Sequence, residues 1–488
     1  MQQLSGQDAM FLHAELDGLP QHIGGVSIYD QSTAPGGVVR FKQILAMLEN
    51  RVHLSPIFRR KLAFVPYGLG RPYWVEDPDF DMEYHVRHIA LPKPGDWRQL
   101  CILTARIHSQ PLRRDKPLWE MYVIEGLNNI EGYPPNCFAI LLKVHHCAMD
   151  GATGTQFMNI VHDLTPETKD VGSAPPWIVE RPSKARMLGQ AYVDAWRKPG
   201  QVLDMIKQAG PAFIRIRQGK KEQHFRSLED KQKTRFQGKI SRHRVVESRK
   251  FDFEVVRAIK NTQPGATIND AMLTIVAGGM RKYLDSKGEL PDQTLVTGCP
   301  IDVRSPEERA AGGNMVGFMN VALRTEIADP VERLAAVHQE SVSAKAYAEA
   351  LGPRIMVDLT DVMPGNVLSL AIRAASATGL AEASVVQNTI VTNVPGPPFQ
   401  LYMCGAALVD SISLGPLVPN IGLFHIVYSS VMEKKGSINL SFTACRDMLP
   451  DPAFYADCLQ ESFEELRVAA LPGNNKGKKT RRKRTAKS

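Results

Sequence analysis

A break near residue 173 constrains this chain more than any other feature. Ser173-Ala174-Pro175-Pro176 ends the patterning of the preceding segment, because adjacent prolines remove backbone donors and force extended or turn geometry. Beyond it, residues 181–250 hold nineteen Lys or Arg against six Asp or Glu, a net charge of +13. A second basic run, residues 473–488, holds eight Lys or Arg and no acid. The whole chain carries only +8, so everything outside these two segments nets −13. At 488 residues the chain also exceeds one ordinary core. The pattern predicts two globular halves, residues 1–172 and 250–472, joined by a basic helical linker over 173–249 and followed by a disordered basic tail, 473–488.

Both halves mix strand and helix patterns. Trp119 to Ile124 and Phe138 to Val144 read as strands in the first half, and Val385 to Thr392 and Ile421 to Val431 as buried strands in the second. Thr267 or Asn269 can cap a helix that continues from Ala271 to Leu284. In the linker, Met187, Leu188, Ala191, Tyr192, Ala195 and Trp196 recur at spacings of three and four. Such a basic amphipathic helix can lie on a bilayer or cover the two halves, and the second reading is favoured.

Several classes are excluded. The seven cysteines are odd in number, spread singly and without a CxxC pair, which argues against a disulfide framework or a structural zinc site. No apolar run reaches the roughly 18 residues of a membrane span, and the opening Met1-Gln2-Gln3-Leu4-Ser5 is unlike a signal peptide. The expectation is a cytoplasmic protein, at most peripheral at the inner membrane face or on lipid inclusions through its basic linker and tail. Nucleic-acid binding through the tail rests on charge alone and is disfavoured.

The chemistry concentrates in Leu141-Leu142-Lys143-Val144-His145-His146-Cys147-Ala148-Met149-Asp150-Gly151. An apolar strand runs into two histidines, a short loop ends in Asp-Gly, and a helix is expected from about Thr153. Side chains alternate along a strand, so His145 and His146 face opposite ways and at most one can act in a given cavity. Spacing alone does not say which. Imidazole suits general-base work because its ordinary pKa of about 6.5 lies near neutral pH. Asp150 is placed to pin the loop through an arginine rather than to take a proton, and Gly151 permits close approach of the backbone. HHxxxDG would arise by chance in a chain of this composition on the order of once in a thousand. Rival chemistries are weaker: the histidines lack the i, i+4 spacing of a zinc helix, no GxSxG elbow occurs, and no Walker loop or dinucleotide fingerprint is present. Cys147 reads as buried filler rather than a nucleophile.

With these residues in hand, the sequence resembles the bacterial wax ester synthase/acyl-CoA:diacylglycerol acyltransferase family. The resemblance runs through Leu4-Ser5-Gly6-Gln7-Asp8-Ala9-Met10-Phe11-Leu12, His22-Ile23-Gly24-Gly25, the string from Pro111 to Glu120, HHxxxDG, Asn269-Asp270, Asp302-Val303-Arg304, Gly313 to Gly317 and Asn393 to Pro397. Gln21 stands where the family often has methionine, and the basic tail is no family hallmark. The resemblance implies an α/β fold of two chloramphenicol-acetyltransferase-like halves around a shared tunnel. It implies His146 as the base, His145 as support, and Arg304 as the partner of Asp150. It also makes Asn269 and Asp270 functional, with Asn269 a candidate oxyanion donor beside its possible service as a helix cap.

The implied reaction is direct transfer of an acyl group from acyl-CoA, a co-substrate, to diacylglycerol or a long-chain alcohol. No bound cofactor or metal is expected. The alternatives are a wax ester synthase with little diacylglycerol activity and an inactive lipid-surface binding protein of the same fold.

Overall fold

The computed structural model describes residues 2–68, 70–149, 151–172, 183–193, 232–302, 316–351, 387–432 and 435–472. Asp150, Arg304, most of the linker and the tail lie outside the described residues.

In chain order, β1 (Gln2–Gln3), α1 (Gly6–Ala14) and β2 (His22–Asp30) lead to α2 (Phe41–Arg51), β3 (Arg60–Ala63), β4 (Tyr73–Glu76) and the one-turn α3 (Met82–His85). Next come β5 (Val86–Ala90), α4 (Trp97–His108), β6 (Trp119–Leu127), β7 (Cys137–His145) and α5 (Gly151–Val161). A helix over 184–193, here α6, is the described part of the linker. The second half holds β8 (Arg244–Asp252), α7 (Phe253–Asn261), α8 (Ile268–Ser286), β9 (Val296–Asp302), β10 (Val316–Ala322) and α9 (Pro330–Leu351). It ends with β11 (Thr389–Pro395), β12 (Tyr402–Met403), β13 (Ala406–Leu414), β14 (Leu423–Met432), β15 (Lys435–Cys445) and α10 (Pro452–Ala470).

The strands form two six-stranded mixed sheets and one small sheet, which matches the expected two-lobed α/β plan. The first sheet runs β12-β13-β2-β7-β6-β5, the second β10-β9-β11-β14-β15-β8, and the small one β1-β4-β3. β12 and β13 belong to the first sheet although they lie late in the chain: β13 pairs antiparallel with β2, from Ala407 opposite Asp30 to Leu414 opposite Gly24. The second half therefore lends two strands to the first sheet. β8, whose first residues fall in the stretch read as linker, is the edge of the second sheet and pairs with β15.

The first sheet is buried on both faces, which is why β7 reads as a continuous apolar run rather than an alternating one. Phe138, Ile140 and Val144 join a core with Ile44 and Leu48 of α2 and Phe157 of α5. Ala139 and Leu141 point the other way, into a core with Leu100 and Ala105 of α4. By the same alternation Lys143 and His145 lie on the α4 side. The second sheet packs on α7, α8, α9 and α10 through an extensive core in which Met272, Val276, Tyr455 and Leu459 are fully buried. In the linker, Met187 and Ala191 of α6 bury against Val65 and Tyr73 of the first half. Leu188 packs against the same cluster, Tyr192 is exposed, and Ala195 and Trp196 lie outside the described residues.

These lent strands tie the lobes. Asn439 of β15 donates to the Asp410 carboxylate at 2.5 Å and to the Ser411 carbonyl at 2.9 Å, and Ser441 donates to the Ser413 carbonyl at 2.8 Å. Trp97 of α4 donates to Glu247 of β8 at 2.8 Å.

Two glycines let β2 lie between its neighbours. A Cβ at Gly24 would sit 2.0 Å from the Leu142 carbonyl oxygen, and one at Gly25 would sit 2.6 Å from that of Ile412. Both obstacles are backbone, so neither can swing aside. Gly24→Ala should therefore destabilise the protein by about 1–3 kcal/mol or more, as overpacking in cores does, read as a fall in the urea midpoint. A midpoint equal to wild type would show that β2 and β7 separate without cost.

Candidate active site

β7 ends between two fixed points. The His145 amide donates to the Leu118 carbonyl at 3.0 Å, and the His146 amide to the Gln21 carbonyl at 2.8 Å. The backbone then closes a single 3-10 turn, His146–Ala148, with the Met149 amide reaching the His146 carbonyl at 3.4 Å. α5 begins at Gly151, two positions before the sequence-based expectation.

The two histidines are treated very differently. His145 is 1% exposed. Its Nδ1 accepts the Cys147 backbone N–H at 3.1 Å, and its Nε2 lies 2.9 Å from Glu15 Oε2. A backbone N–H can only donate, so Nδ1 carries no proton and the ring hydrogen sits on Nε2, given to the carboxylate. Both nitrogens of His145 are thus engaged, one capping the turn and one holding Glu15. His146, by contrast, is half-buried. Its ring stacks on that of Phe11, with centroids 3.8 Å apart and planes 6° from parallel. Cys147 turns into a core of Leu4, Ala9, Leu12, Leu62 and Leu118, where burial pushes its thiol far above the ordinary range. It is the filler expected of it.

Glu15, just past the end of α1, is the hub behind the turn. Besides His145, its carboxylate takes Arg114 at 3.2 Å and the Gln21 amide at 3.3 Å. Burial alone would raise its pKa, but the hydrogen bond from His145, with Arg114 and the Gln21 amide, holds it below the ordinary 4.5. His22 stands next in the cluster, its Nε2 accepting the Leu112 amide at 3.3 Å. Burial pushes His22 well below its usual range and His108 down to about 4, so both rings are neutral near pH 7. The 3.8 Å approach of His22 to Glu15 is therefore not an ion pair. Lys143, two residues before His145 on the same face, is buried against Glu120 at 3.0 Å and donates to the Gln110 carbonyl at 3.0 Å.

The remaining sequence-predicted residues divide. Asp270 is a helix-cap partner: Thr267 caps α8, accepting the Asp270 amide, while Asp270 Oδ2 accepts the Thr267 amide at 2.9 Å and meets His338 at 3.0 Å. Asn269 is half-buried in the first turn and is not the capping residue. The expected pair of Asp150 with Arg304 lies outside the described residues. Sequence reasoning missed Glu15 and Phe11 as members of the site. Their four-residue spacing puts both on one side of α1, but the partners that make them site residues, His146 for Phe11 and His145 with Arg114 for Glu15, lie far away in sequence.

Two family profiles match the chain. One, described as the wax ester synthase/diacylglycerol acyltransferase catalytic domain, matches residues 4–272, and the other, the WS/DGAT C-terminal domain, residues 312–467. A protein of Mycobacterium tuberculosis (strain ATCC 25618 / H37Rv), provisionally named a diacylglycerol O-acyltransferase, is 32% identical over 472 residues, spanning 96% of this chain and 90% of its own. A second from that strain, named probable diacylglycerol O-acyltransferase tgs2, is 29% identical over 95% of this chain and 98% of its own. Among solved structures, the wax ester synthase/diacylglycerol acyltransferase from Marinobacter aquaeolei VT8 superposes with a TM-score of 0.66 at 25% identity, covering 96% of this chain and 99% of that one. The first condensation domain of the calcium-dependent antibiotic synthetase gives 0.56 at 16% identity, over 96% of each chain, a likeness of fold alone.

Because the folded Glu15 carboxyl titrates below its unfolded value, its contribution to stability is present above about pH 4.5 and lost as pH falls through the folded value. Glu15→Gln should cost about 1.5–3 kcal/mol near neutrality, the range for hydrogen bonds to a charged group. The gap between variant and wild type, followed by urea unfolding, should narrow steadily below about pH 4.5. A gap that stays constant down to pH 3 would refute the assignment of Glu15 as the hub.

Proposed function

The chain belongs to the wax ester synthase/diacylglycerol acyltransferase family of acyltransferases, and from that premise we propose that it moves an acyl group from acyl-CoA to diacylglycerol, long-chain alcohols or both, with His146 as general base. The observation that carries the assignment is the contrast within the pair. A base needs a ring nitrogen that can meet the acceptor hydroxyl. His145 is buried with both nitrogens committed, to Cys147 and to Glu15. His146 is the more open of the two rings and begins a turn held from both sides by backbone.

In this reading the alcohol O–H gives its proton to His146 as the oxygen attacks the thioester carbonyl. The tetrahedral oxyanion collapses by breaking the C–S bond, and the imidazolium returns the proton to the departing thiolate. The products are an ester and free coenzyme A, with no acyl-enzyme. An oxyanion of this kind needs a positioned donor, each worth roughly 2.7–4 kcal/mol in other enzymes. Asn269 is our candidate, since Thr267 already serves as the cap of α8. Arg304 is assigned as the partner of Asp150. None of the described helices is long and apolar enough to cross a membrane. We therefore place any contact with membranes or lipid inclusions at the surface, through the basic linker and tail.

Purified protein supplied with palmitoyl-CoA and either diolein or hexadecanol should release free thiol and form the matching ester. His146→Ala should lose nearly all of that turnover, on the order of 10²–10⁴-fold, with an unchanged thermal midpoint. Near-wild-type release from the variant would remove His146 as the base. Absence of thiol release from wild type with both acceptors would favour a lipid-binding protein instead.

A further inference from the structure

The contact between Phe11 and His146 places an aromatic face directly against the ring of the proposed base. The rings are almost parallel, at 6°, with centroids only 3.8 Å apart. With planes about 3.4 Å apart, centroids 3.8 Å apart are displaced sideways by about 1.7 Å, which is an offset stack. Two neutral rings prefer an offset or edge-on arrangement, because face-to-face contact sets like quadrupoles against each other. A cation over the face of an aromatic ring is attracted instead. The stack therefore accommodates the neutral ring of His146 and gains a further attraction when that ring is protonated. The neighbouring pair His22–His145 shows the edge-on alternative, with planes at 68° and centroids 5.8 Å apart.

Phe11 is also held in place before any substrate arrives. Ser5 caps α1, accepting the Asp8 amide at 3.0 Å. Leu4, Ala9 and Leu12 are buried beneath the helix, and Glu15 ties its far end to His145. One helix therefore grips both histidines, Glu15 fixing the tautomer of His145 and Phe11 facing His146.

We propose that Phe11 is a positioning residue that stabilises His146 specifically in its imidazolium form, the form it takes while the acceptor's proton is in transit. This rests on the reading of His146 as the general base. An interaction stronger in the transition state than in the resting enzyme raises kcat without tightening substrate binding.

The test replaces Phe11 by Leu, by Tyr, and by phenylalanines of increasing fluorination, which draw charge from the ring face with little change of shape. Phe11→Leu should lower kcat about 3- to 30-fold, the range of a cation–π contact, with KM for palmitoyl-CoA unchanged within about twofold. Phe11→Tyr should restore most of it. The fluorinated series should lower kcat stepwise, and it keeps the question open to measurement if the leucine variant folds poorly. His146→Ala is assayed alongside. If that variant is inactive and fluorination leaves kcat flat, Phe11 is packing only and the base assignment stands. If His146→Ala turns over normally, both fall together, because a cation on His146 would then have no part in the reaction.

Discussion

The hydrogen bonds of His145 organise the centre of this protein. One imidazole, fixed as a single tautomer, links the end of β7, the turn that follows it and the end of α1. Each link is between groups that are costly to leave unmade in a buried site. The Cys147 N–H is one of the donors freed where a strand stops and a turn starts, and His145 takes it up. The Glu15 carboxylate would be expensive to bury alone, and His145, Arg114 and the Gln21 amide offset that cost. The consequence for function is indirect but strict. The position of His146 is set by its predecessor's side chain on one side and by the Gln21 carbonyl on the other.

Behind that residue lies a polar layer in an otherwise apolar sheet. Lys143, Glu120, His22 and His108 are all nearly or fully buried. A buried ion pair such as Lys143–Glu120 adds little net stability, since desolvating two charges consumes most of the attraction. What it supplies is geometry. Lys143 is tied to the end of α4 through the Gln110 carbonyl, and His108 of α4 to the Gly415 carbonyl beyond β13. Gln21 in turn donates to the Leu417 carbonyl at 3.2 Å. The strand that delivers the histidines is thus referenced both to α4 in the first half and to the segment that follows β13. Apolar packing alone tolerates sliding and repacking far better than a set of satisfied polar contacts does.

Much of this was legible in the sequence, for local reasons. The strand–turn–helix around HHxxxDG needed only an apolar run, a turn and helix formers, and it appears as β7, a 3-10 turn and α5. The cap of α8 was narrowed to Thr267 or Asn269, and reciprocal bonding of Thr267 with Asp270 decides it. The two-lobed α/β plan followed from the resemblance. What stayed hidden depends on contacts far apart in sequence. Nothing in residues 402–414 marks them as strands for the first sheet rather than the second, because their partner β2 lies hundreds of residues away and both sheets bury two faces. Glu15 was hidden for the same reason: a lone acid after a helix reads as surface until Arg114 and His145 are brought to it.

On the proposed reading of His146 as the base, a division of labour between the histidines follows from these constraints. A direct transfer asks one ring to change its charge twice per turnover and to stay in place while doing so. A ring locked at both nitrogens meets the second demand and fails the first, since protonating His145 at Nδ1 would break its bond to the Cys147 amide. A ring free to rotate would meet the first and fail the second. Adjacent residues on a strand end resolve the conflict, because alternation sends one side chain into the polar layer and leaves the other at the turn. His145 then supplies rigidity through the backbone it shares with His146, and α1 supplies a flat aromatic surface against which the second ring keeps its plane in either charge state. If His146 is the acceptor, as proposed, the motif needs two histidines because one imidazole cannot be both anchor and acceptor.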